Sequence, residues 1–99
     1  MSQPEPSLAI VIPPSGDSTI VELPTGDSLR LETLQAIVGG YLQVVSLPGS
    51  RYMVMNENAK AISHFANRTA TAIARTAESI HDDDYIAGVA AIIPRNALR

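Results

Sequence analysis

The spacing of apolar positions changes along this chain, and the change is clearest in Leu29–Val45, which reads LRLETLQAIVGGYLQVV. Leu31, Leu34, Ile37 and Val38 recur at helical spacing and form one apolar stripe. Asp27 or Ser28 is placed to cap the helix start by accepting orphan backbone N–H groups. Gly39 suits the left-handed position that ends a helix, because it has no Cβ to clash. Gly40 then frees the backbone to turn. Tyr41–Ser46 continues as an aromatic and β-branched strand.

The flanking segments complete the pattern. Leu8–Ile12 is short and continuously apolar, which favours a strand, and Pro13-Pro14-Ser15-Gly16-Asp17 breaks it with turn chemistry. Thr19–Leu23 is a second β-branched run, so the two predict a hairpin. Pro48-Gly49 fits the centre of a type II turn, from which Arg51–Asn56 returns as a fourth strand. Asn56–Lys60 reads as a polar turn and Ala61–Ala66 as a loop. A second helix is predicted near Thr69–Ser79, capped by Asn67 and burying Ala70, Ile73, Ala74 and Ala77. Tyr85–Ile93 reads as a last strand, interrupted by Gly88 and stopped by Pro94. Val89–Ile93 is apolar on both faces, so that strand is either central or covered by another subunit. The prediction is an α+β domain of order ββαββαβ, a mostly antiparallel sheet with two helices on one face. Residues 1–7 read as a flexible Pro-rich tail and residues 8–99 as a single domain.

Composition narrows the function classes. The hydrophobic fraction is 45%, yet there is one Phe and no Trp, so the core must be aliphatic. A net charge of −3 argues against general nucleic-acid binding through phosphates. The chain has no cysteine, which removes disulfides and thiolate chemistry and fits a reducing cytoplasm. No apolar run approaches membrane-spanning length, and MSQPEPS has no basic signal-peptide start.

The candidate chemistry gathers at the second helix. Arg68, Thr71 and Arg75 stand at i, i+3 and i+7 and share one face. Arg68 lies in the first turn, where it opposes the helix dipole unless an anion is bound. With Asn67 and Thr69, these side chains make a candidate phosphate or pyrophosphate site. The competing account is a solvated polar face, with Arg75 paired to Glu78. Phe65 either stacks on a base beside the phosphates or staples the first helical turn. Asn56, Asn58 and Lys60 are turn residues that could border the same ligand. His81-Asp82-Asp83-Asp84 reads as a solvated loop, since consecutive residues cannot converge on one metal ion and His64 stands alone. No nucleophile elbow, Walker or Rossmann pattern occurs. No paired general acid and base is evident, so an enzyme is the least favoured class and no cofactor is implied.

LQAIVGGYLQVV, YMVMNENAK, NRTATAIA and DYIAGVAAII together resemble a family of small phage and plasmid proteins catalogued as a domain of unknown function. The match runs from about Leu29 to Ile93, with Ala59 standing where the family usually has a turn glycine. The layout is also similar to phage sponge proteins that sequester the cyclic ADP-ribose signal of the Thoeris defence system. Those resemblances imply a counter-defence protein in the cytoplasm of a bacterial host. It would hold a phosphorylated nucleotide-type ligand without cleaving it, as a homo-oligomer whose pocket is shared between subunits. The alternative is a protein-interaction module that inhibits a host enzyme or defence protein.

Overall fold

The computed structural model describes residues 7–62 and 65–98. Residues 1–6 of the predicted tail, and His64, lie outside the described residues. The strands are β1 (Leu8–Ile12), β2 (Thr19–Glu22), β3 (Leu42–Leu47), β4 (Arg51–Asn56) and β5 (Ala90–Pro94). The helices are α1 (Asp27–Val38), a short α2 (Ala59–Ile62) and α3 (Arg68–Thr76), and a 3₁₀ turn, Arg95–Ala97, follows β5. The α+β class is as the sequence predicts. All strands are antiparallel, in one five-stranded sheet of order β2-β1-β5-β4-β3. The all-apolar strand is thus the central one, which is why both of its faces are buried.

The helices do not share a face, and here the structure corrects the sequence reading. Strand residues alternate sides. Ile12, Met53, Met55, Ala90 and Ile92 form one core with Ala70 and Ala74 of α3. Ala9, Val54, Ala91 and Ile93 form the other with Leu34 and Val38 of α1, and with Ala97. Two separate aliphatic cores follow from a central strand that is apolar at every position. The alanines of α3 let it lie close to the first face. Ala70 and Ala74 are fully buried there, with Ile73 and Ala77 partly so.

The helix ends show how local sequence sets the boundaries. Gly39 sits in the left-handed region at φ 82° and ends α1, donating its N–H to the Gln35 carbonyl at 2.8 Å. At the start of α1 the cap is Gly26, with no side-chain cap bond, rather than Asp27 or Ser28. Asp27 instead pairs with Arg30, one turn on. Of the predicted stripe Leu34 and Val38 are buried, whereas Leu31 is exposed. The helix α3 is capped by Asn67 as predicted, its side-chain oxygen accepting from Ala70 N at 3.0 Å. It ends earlier than predicted, in a Schellman motif: Ser79 N–H donates to Ala74 O and Glu78 N–H to Arg75 O, both at 2.9 Å. Glu78 holds the left-handed position at φ 57° without being glycine. Ala59 and Lys60, read as turn, begin α2.

The last strand begins at Ala90, not Tyr85. Tyr85–Val89 is irregular, joined to the rest by a single bridge between Ala66 and Ala87. Side chains of α3 take up its carbonyls, as described below.

Candidate functional site

Asn67, Thr71 and Arg75 follow one another at i, i+4 and i+8, and all three bond the backbone of residues 84–88, Asn67 reaching Ile12 and Ala70 as well. Asn67 is fully buried. Its amide donates to Ile12 O at 2.7 Å and to Gly88 O at 2.8 Å, and its own N–H donates to Ile86 O at 2.7 Å. Both amide hydrogens are therefore in use. The Thr71 hydroxyl accepts from Ile86 N at 2.9 Å and donates to Ile86 O at 3.3 Å. Arg75 donates from Nε and from one terminal nitrogen to Asp84 O, at 3.0 and 2.6 Å. Arg75 does not pair with Glu78 among the described residues. Of the face that reads as an anion site, Thr71 and Arg75 are, in the fold, part of a polar seam that holds an irregular segment beside a helix, together with the cap Asn67. Backbone carbonyls that a β-ladder would otherwise satisfy must find such partners when buried.

Arg68 stands apart from that seam. It is exposed in the first turn of α3 and makes no hydrogen bond or ion pair among the described residues. Phe65 is 71% exposed, and its carbonyl accepts from Gly88 N at 3.0 Å. Asn56 is buried at the far end of β4. Its amide donates to Val38 O at 3.3 Å and its oxygen accepts from Asn58 N at 2.8 Å, so it joins the end of α1 to the turn after β4. Gly40 lies against this amide: a Cβ there would sit 2.8 Å from Asn56 Nδ2. The VGGY sequence thus answers two demands, a positive φ at its first glycine and close approach at its second.

Lys60 belongs to a different cluster from the one its neighbours suggest. Its ammonium is bonded to the Asp84 carboxylate and stands 4.6 Å from the centre of the Tyr85 ring. Asp84 is held on three sides, by Lys60 at its carboxylate, by Tyr85 N–H at 2.8 Å and by Arg75 at its carbonyl. The Lys60 hydrogen bond, and after it the Tyr85 N–H, lower the Asp84 pKa from its usual value. Beside this cluster is a notch of about 70 Å³ bordered by Gln43, Asn56, Glu57, Lys60, Asp84 and Tyr85. It has room for a phosphate-sized group and not for a whole nucleotide.

The structure therefore divides the sequence-derived residues into three places. Lys60 and Arg75 both reach Asp84, Asn56 borders the notch, and Asn67 and Thr71 lie along the seam. Arg68 and Phe65 lie at the exposed start of α3. Asp84 and Tyr85 are the members that sequence reasoning passed over. Asp84 is 24 positions from Lys60, and nothing local to either residue signals the pairing. Among the described residues no group of acidic or imidazole side chains could hold a metal ion, and no helix is long and apolar enough to cross a membrane.

No curated protein and no solved structure matches the chain. A family model does match, over residues 7–96, and its span takes in all five strands, the seam and the Lys60 cluster. The chain belongs to that family, described as a domain of unknown function, DUF3846.

Proposed function

We propose that this protein is a binding protein that captures a phosphorylated, nucleotide-type anion at the Lys60 notch and leaves it chemically unaltered. The observation that carries the reading is the arrangement around Asp84. An ammonium lies against an aromatic ring, and a carboxylate occupies the position an incoming anion would take. A phosphate group would displace the carboxylate from Lys60 and accept its donors, while the exposed Tyr85 ring offers a surface on which a base can stack. Arg75 keeps Asp84 and Tyr85 in place through the Asp84 carbonyl. Arg68 and Phe65 belong to the reading as outer contacts for the rest of the ligand. In the setting that the sequence resemblance implies, the cytoplasm of an infected bacterium, such capture would be sequestration of an immune signal.

Calorimetry with ADP-ribose, a cyclic dinucleotide and inorganic pyrophosphate tests the reading. Losing one charge-assisted contact costs about 1.5–3 kcal/mol, so Lys60→Ala should weaken binding roughly ten- to a hundredfold. Asp84→Asn removes the competing carboxylate and should tighten binding. The ligand should be recovered intact after long incubation. Absence of saturable binding to both wild type and Asp84→Asn would overturn the proposal, as would equal binding by Lys60→Ala. A cleaved product would make the protein an enzyme.

A further inference from the structure

The first face of the sheet is not covered to its edge. Leu8, Ile10 and Ile20 are 51%, 37% and 70% exposed. With Ile92 and Pro94 they line a groove of about 290 Å³. The groove opens where the β1–β5 ladder stops at Ile10 and Ile92, because Pro94 has no N–H to continue it. The register sets Val45, Met53, Ile92, Ile10 and Ile20 side by side, an apolar row that crosses all five strands and ends on the bare edge of β2.

The backbone of β2 fixes which groups that edge presents. Leu23 N–H donates to Ser7 O at 2.7 Å, next to the pair Leu8–Glu22. Antiparallel residues alternate between bonding inward and outward, so Thr19 and Val21 face β1 while Ile20 and Glu22 turn their N–H and C=O groups to the open side. The opposite edge of the sheet differs, since the Ser79 hydroxyl bonds the Ser46 carbonyl on β3. The strand β2 also lacks the usual guards of an edge, having neither lysine nor proline and a large aliphatic residue within it.

We propose that a second copy of this chain pairs on this edge, β2 antiparallel to β2 about a two-fold axis through Ile20. An edge that is its own complement needs no other partner chemistry. In this register the two Ile20 residues exchange both backbone hydrogen bonds. Thr19 falls opposite Val21, and Ser18 opposite Glu22, so no like charges meet in two chains that each carry −3. The two apolar rows join end to end, and Ile20 is covered by Ile20 of the second copy. A two-fold centred one residue later would set each Ile20 against a Glu22 carboxylate and break that continuity. The inference is independent of the ligand reading.

Light scattering on the full chain should give twice the 10.5 kDa chain mass, at concentrations up to about 100 µM. Ile20→Lys should return the single-chain mass and stay folded, since the side chain is 70% exposed in the single subunit, and its melting temperature should no longer rise with protein concentration as that of the wild type does. The chain has no cysteine, so Ile20→Cys supplies the only thiol. It should cross-link to a dimer with a short bis-maleimide. Glu22→Cys should not, its two copies being about 14 Å apart in this register. A single-chain mass for wild type at that concentration would overturn the proposal. So would a dimer that survives Ile20→Lys, or equal cross-linking of the two cysteine variants.

Discussion

Replacing Asn67 separates a residue that holds the fold from one that holds a ligand. The side chain is fully buried and makes three hydrogen bonds, of 2.7, 2.8 and 3.0 Å. In Asn67→Ala, α3 loses its cap, worth about 1 kcal/mol. The Ile12 and Gly88 carbonyls lose their amide donor, at about 1 kcal/mol each and more wherever the oxygen is left without another partner. The expected loss is about 3 kcal/mol. That is a large share of the roughly 5–15 kcal/mol of a typical domain, and it lowers the melting temperature of a chain this size by more than about 10 °C. Asn67→Asp sharpens the argument. It keeps the cap acceptor but turns a second oxygen toward two carbonyls, so at neutral pH it should be at least as damaging as alanine. Part of the loss should return at acid pH, where the protonated carboxyl can donate to one carbonyl. Urea titrations followed by circular dichroism, at neutral pH and near pH 4, measure both effects. If Asn67→Ala unfolds within a few tenths of a kcal/mol of wild type, the seam does not hold residues 84–88. If Asn67→Asp is no worse than wild type at neutral pH, the assignment of the amide nitrogen toward those carbonyls is wrong.

Two further predictions concern backbone and charge. The helix ends should respond in opposite senses: Gly39→Val loses roughly 1–2 kcal/mol because a branched residue must adopt φ 82°, whereas Glu78→Gly gains up to about 1 kcal/mol by relieving φ 57°. Thermal melts check both, and a Gly39→Val protein that melts with wild type would refute the αL assignment. Asp84 has a lowered folded pKa. Its ion pair therefore contributes fully above the unfolded carboxylate value and is lost as pH falls through the lower folded one. The stability difference between wild type and Asp84→Asn should accordingly be constant at neutral pH and shrink only under strongly acid conditions. A difference that vanishes by about pH 5 would contradict the Lys60 contact.

What the sequence disclosed, and what it hid, follows from the range of the interactions involved. The Gly39 stop, the Asn67 cap and the Pro48-Gly49 turn, with Gly49 at φ 77°, are decided within a few residues, and each was legible. The all-apolar run before Pro94 also carried its own message, that the strand is covered on both faces. Which face each helix covers was not legible, because a strand apolar on both sides accepts a helix on either. The start of β5 was misread for a related reason. Tyr85–Val89 has strand-like residues, but α3 offers its backbone the hydrogen bonds a neighbouring strand would have supplied. Polar residues along one side of a half-buried helix look the same whether they face a phosphate or a peptide backbone, and only the tertiary partner distinguishes them.

The seam nevertheless bears on the ligand reading. Residues 84 and 85 lie in no strand, and their position beside Lys60 depends on bonds from α3 that reach Asp84 and Ile86. An irregular segment held by side chains from a helix can shift more readily than a strand held by a ladder on both sides. Asp84 is joined to that segment through its carbonyl and to Lys60 through its carboxylate, so an anion that takes Lys60 releases one tie while Arg75 keeps the other. The same residues that make Tyr85–Val89 non-regular thus leave a charged side chain exchangeable at a fixed place. In the proposed reading, capture of an anion would exchange one negative group for another at Lys60 while the Arg75 bonds to the Asp84 carbonyl stay in place.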